Sequence, residues 1–265
     1  MIMHRGWNDY VLPYRLIEKM ERLKAQGKIR FMGFSFHDSL QLFKRVVEYT
    51  PAWDFCLIQH NYLDYEYEAG VLGPKYAAAN GMGLAVMKPV RTGFLAHLPQ
   101  GMKDALASTC VSKPDTEWAL DYLWDMPEVS VAVSGMGAMA DVEANLGYAA
   151  KARPNMLSPA EREALGAAVY AYRHALGHID CTGCYQCIPC PANVAIGYIF
   201  AYVYNNYLLH GNMERAMADY TVSMSPVQRG DPASSCTGCG VCMAKCPQHL
   251  DIPGLLAKVK QTMGK

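Results

Sequence analysis

Eight of the ten cysteines in this 265-residue chain lie in two short runs, CTGCYQCIPCP at 181–191 and CTGCGVCMAKCP at 236–247. Thiols at this density can pair as disulfides, bind zinc or hold a redox cluster. Disulfides are disfavoured: the first twelve residues carry His4, Arg5 and Asp9 and show no export signal, and the cytosol keeps thiols reduced. Structural zinc takes four ligands, usually as two separated C-x-x-C pairs. Here three cysteines follow one another at consecutive x₂ spacings, Cys181, Cys184 and Cys187, then Cys236, Cys239 and Cys242. That spacing lets one loop wrap three corners of an iron–sulfur cubane.

Each run closes in Cys-Pro, Cys190-Pro191 and Cys246-Pro247. In two-cluster ferredoxins the fourth cysteine of one run ligates the other cluster. The spacing therefore predicts two [4Fe–4S] clusters. The first would use Cys181, Cys184, Cys187 and Cys246; the second would use Cys236, Cys239, Cys242 and Cys190. The first run ends x₂-Cys rather than x₃-Cys, which shortens the reach of Cys190. Gly183, Gly238 and Gly240 allow tight turns whose N–H groups point at sulfur. Ile188, Val241 and Met243 are expected to shield the clusters and set their potentials, as a small core would also require. Cys56 and Cys110 stand alone and read as small buried hydrophobes.

These runs need elements to hold them. Residues 10–150 alternate helical and strand patterns. In PYRLIEKMERLKAQGK, Leu16, Ile17, Met20 and Leu23 share one helix face, Pro13 suits the first turn and Gly27 the end. Strands are expected at 29–36, 54–59, 82–88 and 129–134, helices at 39–49, 70–80, 115–125 and 139–150, with a long loop at 92–114. Such alternation predicts βα units on a parallel sheet. No strand is followed by G-x-G-x-x-G, so a Rossmann site is not supported. Ser158, Pro159 and Glu161 form a capping-box start for a helix over 159–176. Further helices are expected near 194–209 and 253–263. The domains are therefore 1–150, a helical connector at 151–180, and a cluster domain at 181–265.

Lys+Arg and Asp+Glu balance at 24 each, which gives no electrostatic case for nucleic acid or an anionic membrane. The apolar stretch from Val194 is shorter than the roughly 20 residues a bilayer span needs and is broken by Asn205 and Asn206. A buried helix and a soluble, cytoplasmic protein are expected.

Four segments resemble aldo/keto reductases. RLKAQGKIRFMGFSFHDS (22–39) resembles their helix four to strand five, LIQHNYLD (57–64) strand six, AVMKPVRTGFLA (85–96) strand seven, and VAVSGMGAMADVEANL (131–146) strand eight with its helix. Ending in two cysteine runs, the chain resembles the iron–sulfur branch of that family. The resemblance implies an α/β fold: the C-terminal half of a (β/α)₈ barrel, strands four to eight, followed by a small α-helical ferredoxin-type domain. It implies a nicotinamide cofactor at the C-terminal strand ends, where barrel active sites sit, and a Tyr proton donor tuned by Lys and Asp.

MIMHRGWND resembles the end of strand four, and His4 matches the residue that orients the carbonyl. Strands one to three, with the Tyr, Lys and Asp, would then precede Met1. A full barrel takes about 250 residues, so about 100 would be missing. An incomplete chain is expected, rather than a barrel completed by a partner.

The resemblance also assigns cofactor contacts. Ser35 and His37 match the nicotinamide-amide position, Gln59 and Asn61 match strand six, and Lys88 and Arg91 follow on the strand-seven loop, as diphosphate contacts or as solvated charges. Met87 stands where many members stack a Tyr, so that stacking is not expected. Gly135, Met136 and Asp141 replace the Lys, Ser and Arg that hold the 2′-phosphate of NADP, and a carboxylate there repels phosphate. Gly135 and Gly137 still permit phosphate approach, and Asn145 matches an adenine contact. NADP preference is not supported; NAD, or no tight nicotinamide site, is expected.

A nicotinamide moves two electrons together and each cluster takes one, so a flavin in a partner is the expected converter. Two functions follow. One is an iron–sulfur oxidoreductase acting on a carbonyl or alcohol and exchanging electrons with a ferredoxin or flavoprotein. The other is a non-catalytic electron-transfer subunit whose half-barrel is a docking body.

Overall fold

The computed structural model describes residues 2, 6–109, 111–174, 177–223 and 230–264. The chain divides into two compact units, Met1–Val169 and Tyr170–Lys265.

In the first unit, α1 (Leu16–Ala25) precedes β1 (Gly33–Phe36), α2 (Leu40–Glu48), β2 (Phe55–Gln59), α3 (Leu72–Ala79) and β3 (Gly83–Met87). Then come α4 (Gln100–Ala107), α5 (Asp115–Asp125), β4 (Val131–Val133), α6 (Met139–Ala149) and α7 (Pro159–Arg173), with the division between units falling inside α7. The strands form a four-stranded sheet in the order β1-β2-β3-β4. All three pairings are parallel. Ile2 adds an isolated parallel bridge to Phe36 beyond β1.

Register and alternation build one core. Phe34, Cys56 and Leu84 stand side by side, as do Phe36, Ile58, Val86 and Ala132. Against this face α2 presents Leu42, Phe43, Val46 and Val47, a stripe at helical spacing. Phe36 and Phe43 are fully buried and pack edge to face at 5.2 Å; truncating either to Ala would cost about 3–5 kcal/mol. The opposite face carries Phe55, Val131 and Val133, which remain 42%, 54% and 50% exposed. Parallel sheets are normally covered on both faces. Gly33 lies under the Phe55 ring, which a Cβ would meet at 2.6 Å and push aside.

The strands are shorter than their patterns predict. Before β1, Met32 donates its N–H to the Asp54 carboxylate at 2.6 Å, so a side chain replaces the ladder partner. The helix α1 begins at Leu16 rather than near Pro13, because Arg15 takes a left-handed conformation with φ 47°. The segment read as a loop at 92–114 contains α4, whose Met102 and Leu106 are buried one turn apart. The expected capping box at Ser158 forms. Glu161 N–H donates to Ser158 Oγ at 3.3 Å, and Ser158 N–H donates to Glu161 Oε2 at 2.8 Å.

The second unit is helical. A continuous run joins α8 (Ile196–Tyr198), a π-helical stretch Ile199–Tyr204 and α9 (Asn205–His210). Tyr198, Ile199, Phe200, Tyr202, Val203 and Tyr204 are all buried, as expected for a stretch apolar all round. Among the described residues no helix is long and apolar enough to cross a membrane. An unexpected helix, α10 (Met213–Ser223), lies between the cysteine runs, and α11 (Ile252–Met263) follows them. Asp251 caps α11 by accepting from Gly254 N–H at 3.2 Å. Residues 193–195 pair with Asp231, so the chain just after the first run lies beside the chain just before the second.

Candidate cluster site and strand-end site

The two cysteine runs fold as similar loops. In each, the glycine two residues after the first cysteine adopts a left-handed conformation, φ 61° at Gly183 and 72° at Gly238. This turns its N–H toward the preceding sulfur. Gly183 N–H donates to Cys181, and Gly238 N–H lies 3.5 Å from Cys236 Sγ. Backbone donors of this kind stabilise thiolate charge.

The thiols gather in two sets. Cys181, Cys184, Cys187 and Cys246 line one cavity with Ile196, Phe200, Leu250 and Ile252. Cys242 lies within electrostatic range of Cys190, Cys236 and Cys239. The fourth cysteine of each run thus joins the first three of the other. Burial pushes the Cys181 and Cys187 thiols up to about 12, and neighbouring thiols push further in the same direction. Burial also raises Cys242. Among the described residues no three His, Cys, Asp or Glu side chains converge for a single metal ion. A cubane makes a different demand, one thiolate on each of four irons. The donor set is therefore chemically suited to iron–sulfur cubanes.

The two sets differ in cover. The first is roofed by buried Ile196 and Phe200, whereas Cys239 on the second run is exposed. Val241 and Met243, expected to shield the clusters, are each 42% exposed; the apolar residues lining the first cavity come instead from 196–200 and 250–252. Ile188 is half-buried. Asn205 holds the approach to the first run, accepting from Ile179 N–H and donating to Ile179 O, both at 2.9 Å. Cys56 is buried in the sheet core with its thiol pushed up to about 12, and Cys110 lies outside the described residues.

In the first unit the resemblance-derived residues split by exposure. Ser35 on β1, Met87 on β3 and Lys88 are half-buried, while Gly135 and Gly137 are exposed before α6, where a Cβ would meet nothing within 4 Å. Asn145 is half-buried on α6. His37, Gln59, Asn61 and Arg91 are instead buried and share a polar layer at the strand ends. His4 lies outside the described residues.

That layer turns on two carboxylates in the segment after β2, neither foreseen from sequence. Asp64 accepts from Gln59 Nε2 at 2.8 Å and Asn61 Nδ2 at 2.7 Å, and its Oδ1 lies 3.2 Å from Arg91 Nε. Glu68 holds His37 Nδ1 at 3.1 and 3.2 Å. Asn61 spends its amide within the layer: Oδ1 accepts from Leu63 and Asp64 N–H, and Nδ2 also reaches Lys88 O at 3.3 Å. His60 is fully buried with Nε2 3.1 Å from the Tyr122 hydroxyl, and burial lowers its pKa to about 4. The signal was present in HNYLDYEYE, where acids recur at 64, 66 and 68 immediately after the strand.

The loop after β3 is strained. Lys88, Arg91 and Thr92 have φ of 55°, 47° and 58°, followed by Gly93 at 91°. Left-handed non-glycine residues cost about 1–3 kcal/mol each and persist only where surroundings dictate them. At the start of α6, Asp141 Oδ2 accepts from Ala138 N–H at 3.2 Å, so that helix terminus already carries a carboxylate.

Residues 180–252 match the model of the 4Fe-4S dicluster domain. Among solved structures, the chain is similar to the aldo-keto reductase AKR11C1 from Bacillus halodurans. Against the holo form the identity is 24% over 57% of this chain and 54% of that one, with a TM-score of 0.47. Against the apo form the identity is 24% over 57% and 55%, with a TM-score of 0.46. The chain therefore spans about half the length of these structures. No curated protein matches it. Residues 3–156, more than half of the chain, match the model of the aldo/keto reductase family, and the chain belongs to that family.

Proposed function

We propose that the chain is the cluster-bearing part of an iron–sulfur oxidoreductase that acts on a carbonyl or alcohol and exchanges electrons with a ferredoxin or flavoprotein in the cytoplasm. The crossed gathering of the thiols carries the reading: Cys246 lines the Cys181 cavity while Cys190 lies within electrostatic range of Cys242. The eight cysteines would hold two [4Fe–4S] clusters. A bound nicotinamide would supply hydride chemistry, and the clusters would supply one-electron storage.

The chain's own residues do the positioning. The left-handed glycines aim N–H groups at sulfur. Phe200 and Ile196 keep water from the first set, while the exposed second run is the natural point for electrons to cross to a partner. At the strand ends, Ser35, Met87 and Lys88 are the partly exposed groups that would meet a nicotinamide and its diphosphate, with Gly135 and Gly137 leaving the backbone open. Asp141 supports NAD over NADP, since its carboxylate already occupies the helix terminus a 2′-phosphate would need. His4 is proposed to orient the substrate carbonyl.

Anaerobic purification with iron and sulfide analysis tests the cluster reading, and titration with NADH and NADPH tests the site. The expected result is about eight irons per chain, with NADH bound in preference to NADPH. Stoichiometric zinc in place of iron would overturn the cluster assignment. Clusters without nucleotide binding would leave the electron-transfer subunit whose barrel part only docks.

A further inference from the structure

We infer that Asp64 is a positioning residue for the nucleotide site, holding the strained turn 88–93 in its binding shape. This rests on the nicotinamide reading above and adds a residue to it. The turn's left-handed residues need an outside constraint, and the segment after β2 supplies two. Asn61 Nδ2 reaches the Lys88 carbonyl at 3.3 Å, and Asp64 lies 3.2 Å from Arg91 Nε. Both side chains of that ion pair are almost wholly buried, 3% and 1% exposed. Asp64 also fixes the amides beside it. A carboxylate can only accept, so Gln59 and Asn61 must turn their NH₂ groups toward it. One carboxylate thereby sets the orientation of a strand-end amide, a loop amide and a loop guanidinium.

The consequence for ligand binding is a division of labour. The Arg91 guanidinium pairs with Asp64 and lies over the Phe94 ring at 5.5 Å. It therefore braces the turn from within. Lys88, half-buried on the same turn, is the cation placed to meet a diphosphate. Asp64 acts on the ligand only through the turn it holds.

The test compares Asp64→Asn with the double variant Asp64→Asn/Arg91→Gln in the intact, cluster-loaded chain. Asp64→Asn leaves a buried guanidinium without its counter-charge, so a lower melting temperature alone would be uninformative. The double variant removes both charges and should recover the melting temperature. If Asp64 positions the turn, NADH affinity should stay about tenfold weak in the double variant, and amide hydrogen exchange should remain faster across 88–95 alone. Recovery of affinity and exchange together with stability would overturn the inference, as would unchanged exchange in Asp64→Asn. The exchange arm needs no nucleotide. A wild-type chain that binds neither NADH nor NADPH would therefore defeat the functional reading while the role of Asp64 in the turn is still decided.

Discussion

At the ends of β1, β2 and β3 buried groups of opposite kind meet, whereas in the cysteine loops groups of one kind gather. Asp64 and Glu68 each meet a donor or cation from a neighbouring segment. Around Cys181 and Cys187 the neighbouring charges are those of further thiols, set against a few backbone N–H groups, and the ionised forms repel. The first region is preorganised by its own side chains. For the second, the cluster reading predicts that a bound group completes the folding energy.

Iron removal should expose that difference most strongly. Chelation under reducing conditions is expected to abolish cooperative unfolding of 177–264, where cluster binding is folding energy, while the sheet unit keeps its own transition. Hydrogen exchange before and after chelation reads both units at once. A cysteine unit that stays protected without iron would erase the contrast.

A finer division lies between the two thiol sets. Cys190→Ala should deplete the cluster held with Cys242, and Cys246→Ala the one roofed by Phe200, each leaving about four irons. Iron analysis with electron paramagnetic resonance separates the two outcomes. Loss of the same cluster in both variants would show that the runs do not cross.

The smallest effect concerns the strand-end layer alone. Burial lowers the His60 pKa from 6.5 to about 4, so the folded chain keeps it neutral while the unfolded chain takes up a proton. Its contribution is present above the unfolded value and is lost as pH falls from about 6.5 toward 4. Between about pH 7.5 and about pH 5.5 the loss should be roughly 1 kcal/mol. Denaturant melts of His60→Gln should lack that share of the pH dependence. An equal slope in both proteins would place the titration elsewhere.

Much of the fold was legible because its signals are local. Alternation in GFSF and GLAVM reports a strand buried on one face, and Ser158 with Glu161 starts a helix through bonds three residues apart. The helix α4 was obscured because its buried stripe is only Met102 and Leu106 within a polar, glycine-flanked segment. The shielding expected of Val241 and Met243 failed for a related reason: adjacency in sequence to a cysteine does not say which way a loop residue faces.

The sequence by itself determined the chemistry of the second unit. Three cysteines at x₂ spacing, with glycines between them, constrain a loop over so few residues that its geometry follows from the chain's own dihedrals. Only the tertiary structure decided that Asn61 and Arg91 are spent within the protein, and that Asp64 gathers them. Those outcomes depend on side chains brought together from separate loops. Such contacts form when parallel strands set their ends side by side, and local pattern carries no record of that.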